Sequence, residues 1–153
     1  MIMIAGKGDD EMSAQKPGSG RLLAEGERYE TGARILDDFF TPAWRNIPPG
    51  FASAAGKDFA QLCVEHCYAD AWARDTIDRK TRSIITLSAL AAMGCTEELK
   101  MHVRVALSVG HTPDDIVEFL IQLIPYVGVP RMVQAMRCAG EVLSQAAQTE
   151  LNK

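Results

Sequence analysis

Apolar positions recur at three- and four-residue spacing along most of the chain, and no segment sustains a period of two. In residues 21–40, Leu22, Leu23, Tyr29, Ile35, Leu36 and Phe39 keep this rhythm loosely. Gly26 and Gly32 weaken the middle of that helix and permit a break. Residues 41–50 set Pro42, Pro48, Pro49 and Gly50 around Trp44 and Ile47, which reads as a loop. Residues 51–72 predict one helix, with Phe59, Leu62, Cys63, His66 and Cys67 on related faces. Asp78 then caps a helix that carries Ile84, Ile85, Leu87, Leu90 and Ala91 to Met93, and Gly94 stops it. Thr96, with Glu97 and Glu98 in the first turn, opens the next helix, which ends at Gly110. Thr112, Pro113, Asp114 and Asp115 start another through Phe119, Leu120, Leu123 and Ile124. Pro125 disturbs that helix and Gly128 stops it, after which Pro130 opens a last helix to about Ala147.

The pattern predicts an all-α protein, a compact bundle of about six helices with short antiparallel connections. Its 153 residues suit one domain rather than two. Residues 1–20 mix Gly6, Gly8, Pro17, Gly18 and Gly20 with charge and read as a flexible lead, leaving 21–153 as the domain. A formal net charge of -4 argues against a basic nucleic-acid face, so no nucleic-acid partner is expected. It does not argue against a small anionic substrate, because a few local arginines dominate a pocket. No apolar run is long enough for a bilayer, and the opening Met1 to Ala5 stretch is too short for a signal-peptide core. The four cysteines, Cys63, Cys67, Cys95 and Cys138, form no secreted disulfide framework, so free thiols and a cytoplasmic location are expected. There is no Gly-rich phosphate loop, paired zinc motif or nucleophile elbow.

Candidate chemistry gathers in three stretches. Glu98 and His102 are four apart on one helix, and a carboxylate beside an imidazole favours the charged ring and fixes its orientation. Cys95 lies two turns before His102 on the same side. A surface ion pair near a buried cysteine would leave the same pattern. Arg74, Arg79, Lys80 and Arg82 crowd the entry to an apolar helix, where they either clamp carboxylates or form a solvated turn. Tyr126 precedes the Gly128–Pro130 corner and either offers a hydroxyl to a pocket or packs. Cys63, His66 and Cys67 invite a metal, but three clustered ligands without a second cluster favour helix-face cysteines and no metal. His111 reads as a loop residue.

In order and spacing, these residues resemble the carboxymuconolactone decarboxylase family across residues 27–143. The carriers are Trp72 with Asp78-Arg79-Lys80-Thr81-Arg82, Glu98-Leu99-Lys100-Met101-His102, and Ala106 with Gly110-His111-Thr112. They continue through Asp115-Ile116, Gln122, Tyr126 to Pro130, and Ala135. The resemblance implies an alkylhydroperoxidase D-like fold and an obligate homo-oligomer, a trimer or hexamer. One branch of that family uses a Cys-x-x-Cys-x-x-x-His dithiol. Here Cys95 and His102 match it but Glu98 stands at the second cysteine, so the stretch is similar to the cofactor-free decarboxylase branch. That branch implies loss of carbon dioxide from a carboxylated lactone like 4-carboxymuconolactone, in aromatic catabolism. His102 and Glu98 would be catalytic, Arg74 and Arg82 would hold carboxylates, and Tyr126, Cys95 and Trp72 would help form the site. Tyr68-Ala69 departs from the Trp-Gly usual there, which points toward a related substrate. Two alternatives stand beside this one. The first is a thiol-dependent peroxidase using Cys95 with Cys63, Cys67 or Cys138, and the second a non-catalytic protein binding a small ligand.

Overall fold

Helix ends are where the sequence dictates this structure most directly. The computed structural model describes residues 26–46 and 48–151, so the expected flexible lead over 1–20 lies outside the described residues. Asp78 accepts the Thr81 amide at 2.7 Å and starts α3 (Arg79–Met93). Gly94 ends it at φ 77°, a left-handed conformation that glycine adopts without strain. The amides of Gly94 and Cys95 both return to Leu90 O, closing the last carbonyls of the helix. Thr112 and Asp115 cap α5 (Pro113–Val127) reciprocally, amide to side chain in each direction, at 3.1 and 2.8 Å.

Six α-helices and no strand occur among the described residues. α3, α4 (Thr96–Ser108), α5 and α6 (Val129–Leu151) form a bundle around Leu99, Val103, Ile116, Leu120 and Ala139, each at most 2% exposed. Each fully buried aliphatic side chain of this kind contributes roughly 1.5–3 kcal/mol. A second layer packs α1 (Glu27–Phe39) on the segment that follows α2 (Ala54–Leu62). Ile35, Trp72 and Val105 form a small core joining the two layers.

The structure departs from the sequence expectation in several places. The helix expected over 51–72 divides: α2 occupies Ala54–Leu62, and Cys63–Trp72 is wound as a π-helix. The Ala73 amide reaches back five residues to Tyr68 O at 2.8 Å, the bond of that wider winding. Gly32 does not break α1. It lets α1 press onto the π-segment so closely that a Cβ at residue 32 would lie 2.3 Å from Val64 O. The expected loop carries two short 3-10 turns, Pro42–Arg45 and Pro49–Phe51. Cys95 rather than Thr96 stands at the N-cap of α4, without a side-chain cap bond, and α4 ends at Ser108. Pro125 stays inside α5, and α6 runs on to Leu151. No helix among the described residues is long and apolar enough to cross a membrane.

Candidate active site

His102 faces inward from α4 and is 8% exposed. Its ring stacks on the buried Trp72 indole, centroids 6.0 Å apart and planes inclined by 20°. Trp72 is in turn held by Phe39 from α1, edge to face at 5.0 Å. Three distant elements, α1, the π-segment and α4, therefore fix one imidazole. Its Nδ1 is buried without a hydrogen-bond partner among the described residues. Burial pushes the His102 pKa below the ordinary histidine value, because a charged ring loses its hydration there. The ring is neutral at pH 7 and keeps a polar atom to offer.

Glu98 does not take the part expected of it. It is exposed, forms no ion pair with His102 among the described residues, and is absent from the causes of the His102 shift. The expectation of a charged, carboxylate-paired ring is thereby corrected: four-residue spacing put both on one side of α4, but the bundle edge falls between them. Trp72 orients the ring instead.

Arg82 and Arg74 are brought together, though through one backbone contact. Arg82 Nη2 donates to Arg74 O at 2.9 Å, and Arg82 Nε is buried without a partner. No carboxylate pairs with Arg82 among the described residues, so its charge is available to an anion. The Arg74 side chain is exposed. Arg79 is already committed: Nη1 binds Asp38 at 2.7 Å, and its guanidinium lies over Phe39. Cys95 is half-buried and free, and Tyr126 is 77% exposed, with no hydrogen bond to His102 among the described residues. At the other cysteines, burial and the neighbouring Cys67 raise the Cys63 pKa, and His66 Nδ1 lies 3.2 Å from Asp70 rather than beside a thiol.

Besides Gln61, whose Nε2 donates to Glu65 at 2.7 Å, sequence reasoning missed two buried polar groups. Ser83, one residue after Arg82, is 1% exposed with its Oγ unpartnered. His111, expected as a loop residue, is 5% exposed, bonds Lys80 O at 3.0 Å through Nε2 and stands edge-on to Phe119. The polar serine at the inward step of the α3 repeat was the only available signal for the first. None existed for His111, whose burial depends on α3 passing over the loop.

Comparison with known proteins adds an independent line. The profile of the carboxymuconolactone decarboxylase family matches residues 57–141, which include every α4 residue above and the arginine stretch. The chain is 28% identical to a 4-carboxymuconolactone decarboxylase of Acinetobacter baylyi over 116 residues, 76% of this chain and 87% of that one. It is 33% identical to a nitrosuccinic acid decarboxylase of Metarhizium robertsii over 116 residues, 76% of this chain and 77% of that one. An uncharacterised 15.0 kDa protein of Paracoccus denitrificans is 32% identical over 84 residues, 54% of this chain and 63% of that one. With more than half of its length matched by the profile, the all-helical chain belongs to the carboxymuconolactone decarboxylase family.

Proposed function

We propose that this protein is a carboxy-lyase that removes carbon dioxide from a small carboxylated anion of the 4-carboxymuconolactone type, without a cofactor. The family and two relatives named as decarboxylases support a decarboxylase-type function. The observation that carries the reading is the buried His102, stacked on Trp72 with Nδ1 unpartnered. The two relatives' substrates share a chemistry. Both named acids carry an oxygen able to take up an electron pair, a lactone carbonyl in one and a nitro group in the other. In the proposed reaction the carbon–carboxylate bond breaks, carbon dioxide leaves and the electron pair rests on that oxygen. A proton then returns to carbon. A neutral imidazole N–H stabilises the oxyanion by hydrogen bonding. The incoming anion also raises the affinity of His102 for a proton, so the ring takes up from solvent the proton it then delivers to carbon. Arg82, and Arg74 beside it, hold the carboxylate that remains, while Cys95 and Trp72 shape the site. Among the described residues Glu98 and Tyr126 form no hydrogen bond or ion pair with His102, and they stand in the proposal only as groups at the surrounding surface.

We also place the protein in the cytoplasm as a homo-oligomer, a trimer or hexamer. The exposed apolar side chains of Ile85 and Met93 on α3 and Val129 and Val133 on α6 support self-association. The testing experiment is carbon dioxide release from 4-carboxymuconolactone and from nitrosuccinate, with mass by sedimentation on the same sample. Turnover of either acid supports the reading. Turnover of neither by a folded sample contradicts it.

A further inference from the structure

A cavity of about 700 Å³ opens between α1, α2, the π-segment and the outer side of α4. Cavities of this size hold small organic ligands. Its wall is built from rings: Tyr29, Phe39, Phe40, Trp44, Phe59 and Tyr68. His102, Arg74 and Arg82 do not line it. Phe39 and Trp72 stand as aromatic layers between it and the His102 ring.

The polar groups on this wall are few and unequal. Arg45 is bound by both oxygens of Asp37 and lies over the Trp44 ring at 4.4 Å, so its charge is compensated. Arg104 has no carboxylate partner among the described residues. It reaches Lys100 O and Gln145 Oε1 only at 3.4 Å each. Burial pushes the Tyr68 hydroxyl up to about 12, so it stays neutral, and Thr41 and Asn46 carry no charge. The cavity therefore presents stacking surfaces and one uncompensated positive charge at its edge.

We propose that this cavity binds an aromatic monocarboxylate, its ring among Phe39, Phe40 and Trp44 and its carboxylate on Arg104, separately from the decarboxylation site. Offset and edge-to-face ring packing supplies the apolar contact. A charge-assisted, bidentate bond to the guanidinium fixes the head. A second carboxylate on the ligand would be buried without a partner, which such a wall penalises heavily.

Calorimetric titration with cinnamate, cinnamyl alcohol and terephthalate tests this directly. Cinnamate binds saturably, and both the uncharged alcohol and the dicarboxylate bind at least about ten-fold more weakly, the scale of one lost charge-assisted bond. Arg104→Gln, at an exposed position that folding does not depend on, weakens cinnamate by a similar factor. Ala60→Phe, which fills the cavity from α2, abolishes it, and both variants keep wild-type decarboxylation and sedimentation mass. Equal affinity for the three ligands overturns the proposal, as does unchanged cinnamate binding in Arg104→Gln. If Ala60→Phe alters the oligomer mass and leaves binding intact, a second copy of the chain occupies the cavity instead. If Ala60→Phe removes turnover together with binding, the cavity belongs to the decarboxylation site. Binding is read without the decarboxylation substrate, so failure of the proposed reaction leaves this test intact.

Discussion

Gly32 and Gly140 both lie inside helices, yet alanine at the two positions has opposite consequences. Replacing an interior helical glycine by alanine gains about 1 kcal/mol from backbone entropy and helix propensity. At Gly140 a Cβ meets nothing within 4 Å, so the gain is realised and Gly140→Ala raises Tm by roughly 2–4 °C. At Gly32 the same Cβ lies 2.3 Å from Val64 O and 2.9 Å from Val64 Cγ1. A carbon–oxygen contact is ordinarily about 3.3–3.6 Å, so α1 must retreat by about 1 Å. The obstacle is backbone and cannot swing aside, which puts the cost near the upper end of the roughly 1–3 kcal/mol typical of overpacking. Subtracting the propensity gain leaves a loss of about 2 kcal/mol, or roughly 4–8 °C in Tm. Thermal unfolding by far-ultraviolet circular dichroism, at one protein concentration, reads both variants. A Gly32→Ala protein that is stabilised as much as Gly140→Ala would refute the close approach of α1 to the π-segment.

Leu99, 2% exposed at the centre of the bundle, should cost about 2–5 kcal/mol as Leu99→Ala, read as a lower urea midpoint with an unchanged slope. Backbone amides hold Asp78 (Thr81) and Asp115 (Thr112) below the ordinary carboxylate range. Their contribution is therefore full above about pH 3.9 and is lost as pH falls through the lower folded values. His102, also depressed, acts earlier: the unfolded chain takes up its proton first below about pH 6.5, so stability begins to decline there. A His102→Phe variant whose stability falls as steeply as wild type between pH 6.5 and 5 would contradict the buried neutral ring (roughly the window of an ordinary histidine). One equivalent of hydrogen peroxide should leave Cys63 and Cys138 reduced over minutes, read by alkylation and peptide mass, since the Cys63 pKa is raised and Cys138 is buried in the bundle. Rapid loss of two thiols per chain would favour the peroxidase alternative.

Local chemistry was legible in the sequence, and tertiary chemistry was not. Asp78, Gly94 and the Thr112–Asp115 cap act within one turn, so their residue types announce their roles. The π-winding of Cys63–Trp72 left no trace, because the same residues repeat acceptably at α-helical spacing and the pairing with α1 is long-range. His102 was identifiable as a chemical residue, but its stacking partner comes from thirty positions earlier in the chain. Glu98 was placed beside it by periodicity and by the family resemblance, neither of which fixes where solvent begins on a helix. The arginine stretch was visible as a cluster. That Arg79 is held by Asp38 while Arg82 has no acid depends on where α1 ends.

The most direct test of the central claim is steady-state decarboxylation of 4-carboxymuconolactone by wild type, His102→Ala and Arg82→Gln. The account predicts that His102→Ala lowers kcat by about 100-fold or more at intact fold, the scale of a lost general acid or oxyanion donor. Arg82→Gln should mainly raise KM, since it removes a contact to the carboxylate that persists through the reaction. Full kcat in a folded His102→Ala protein would contradict it.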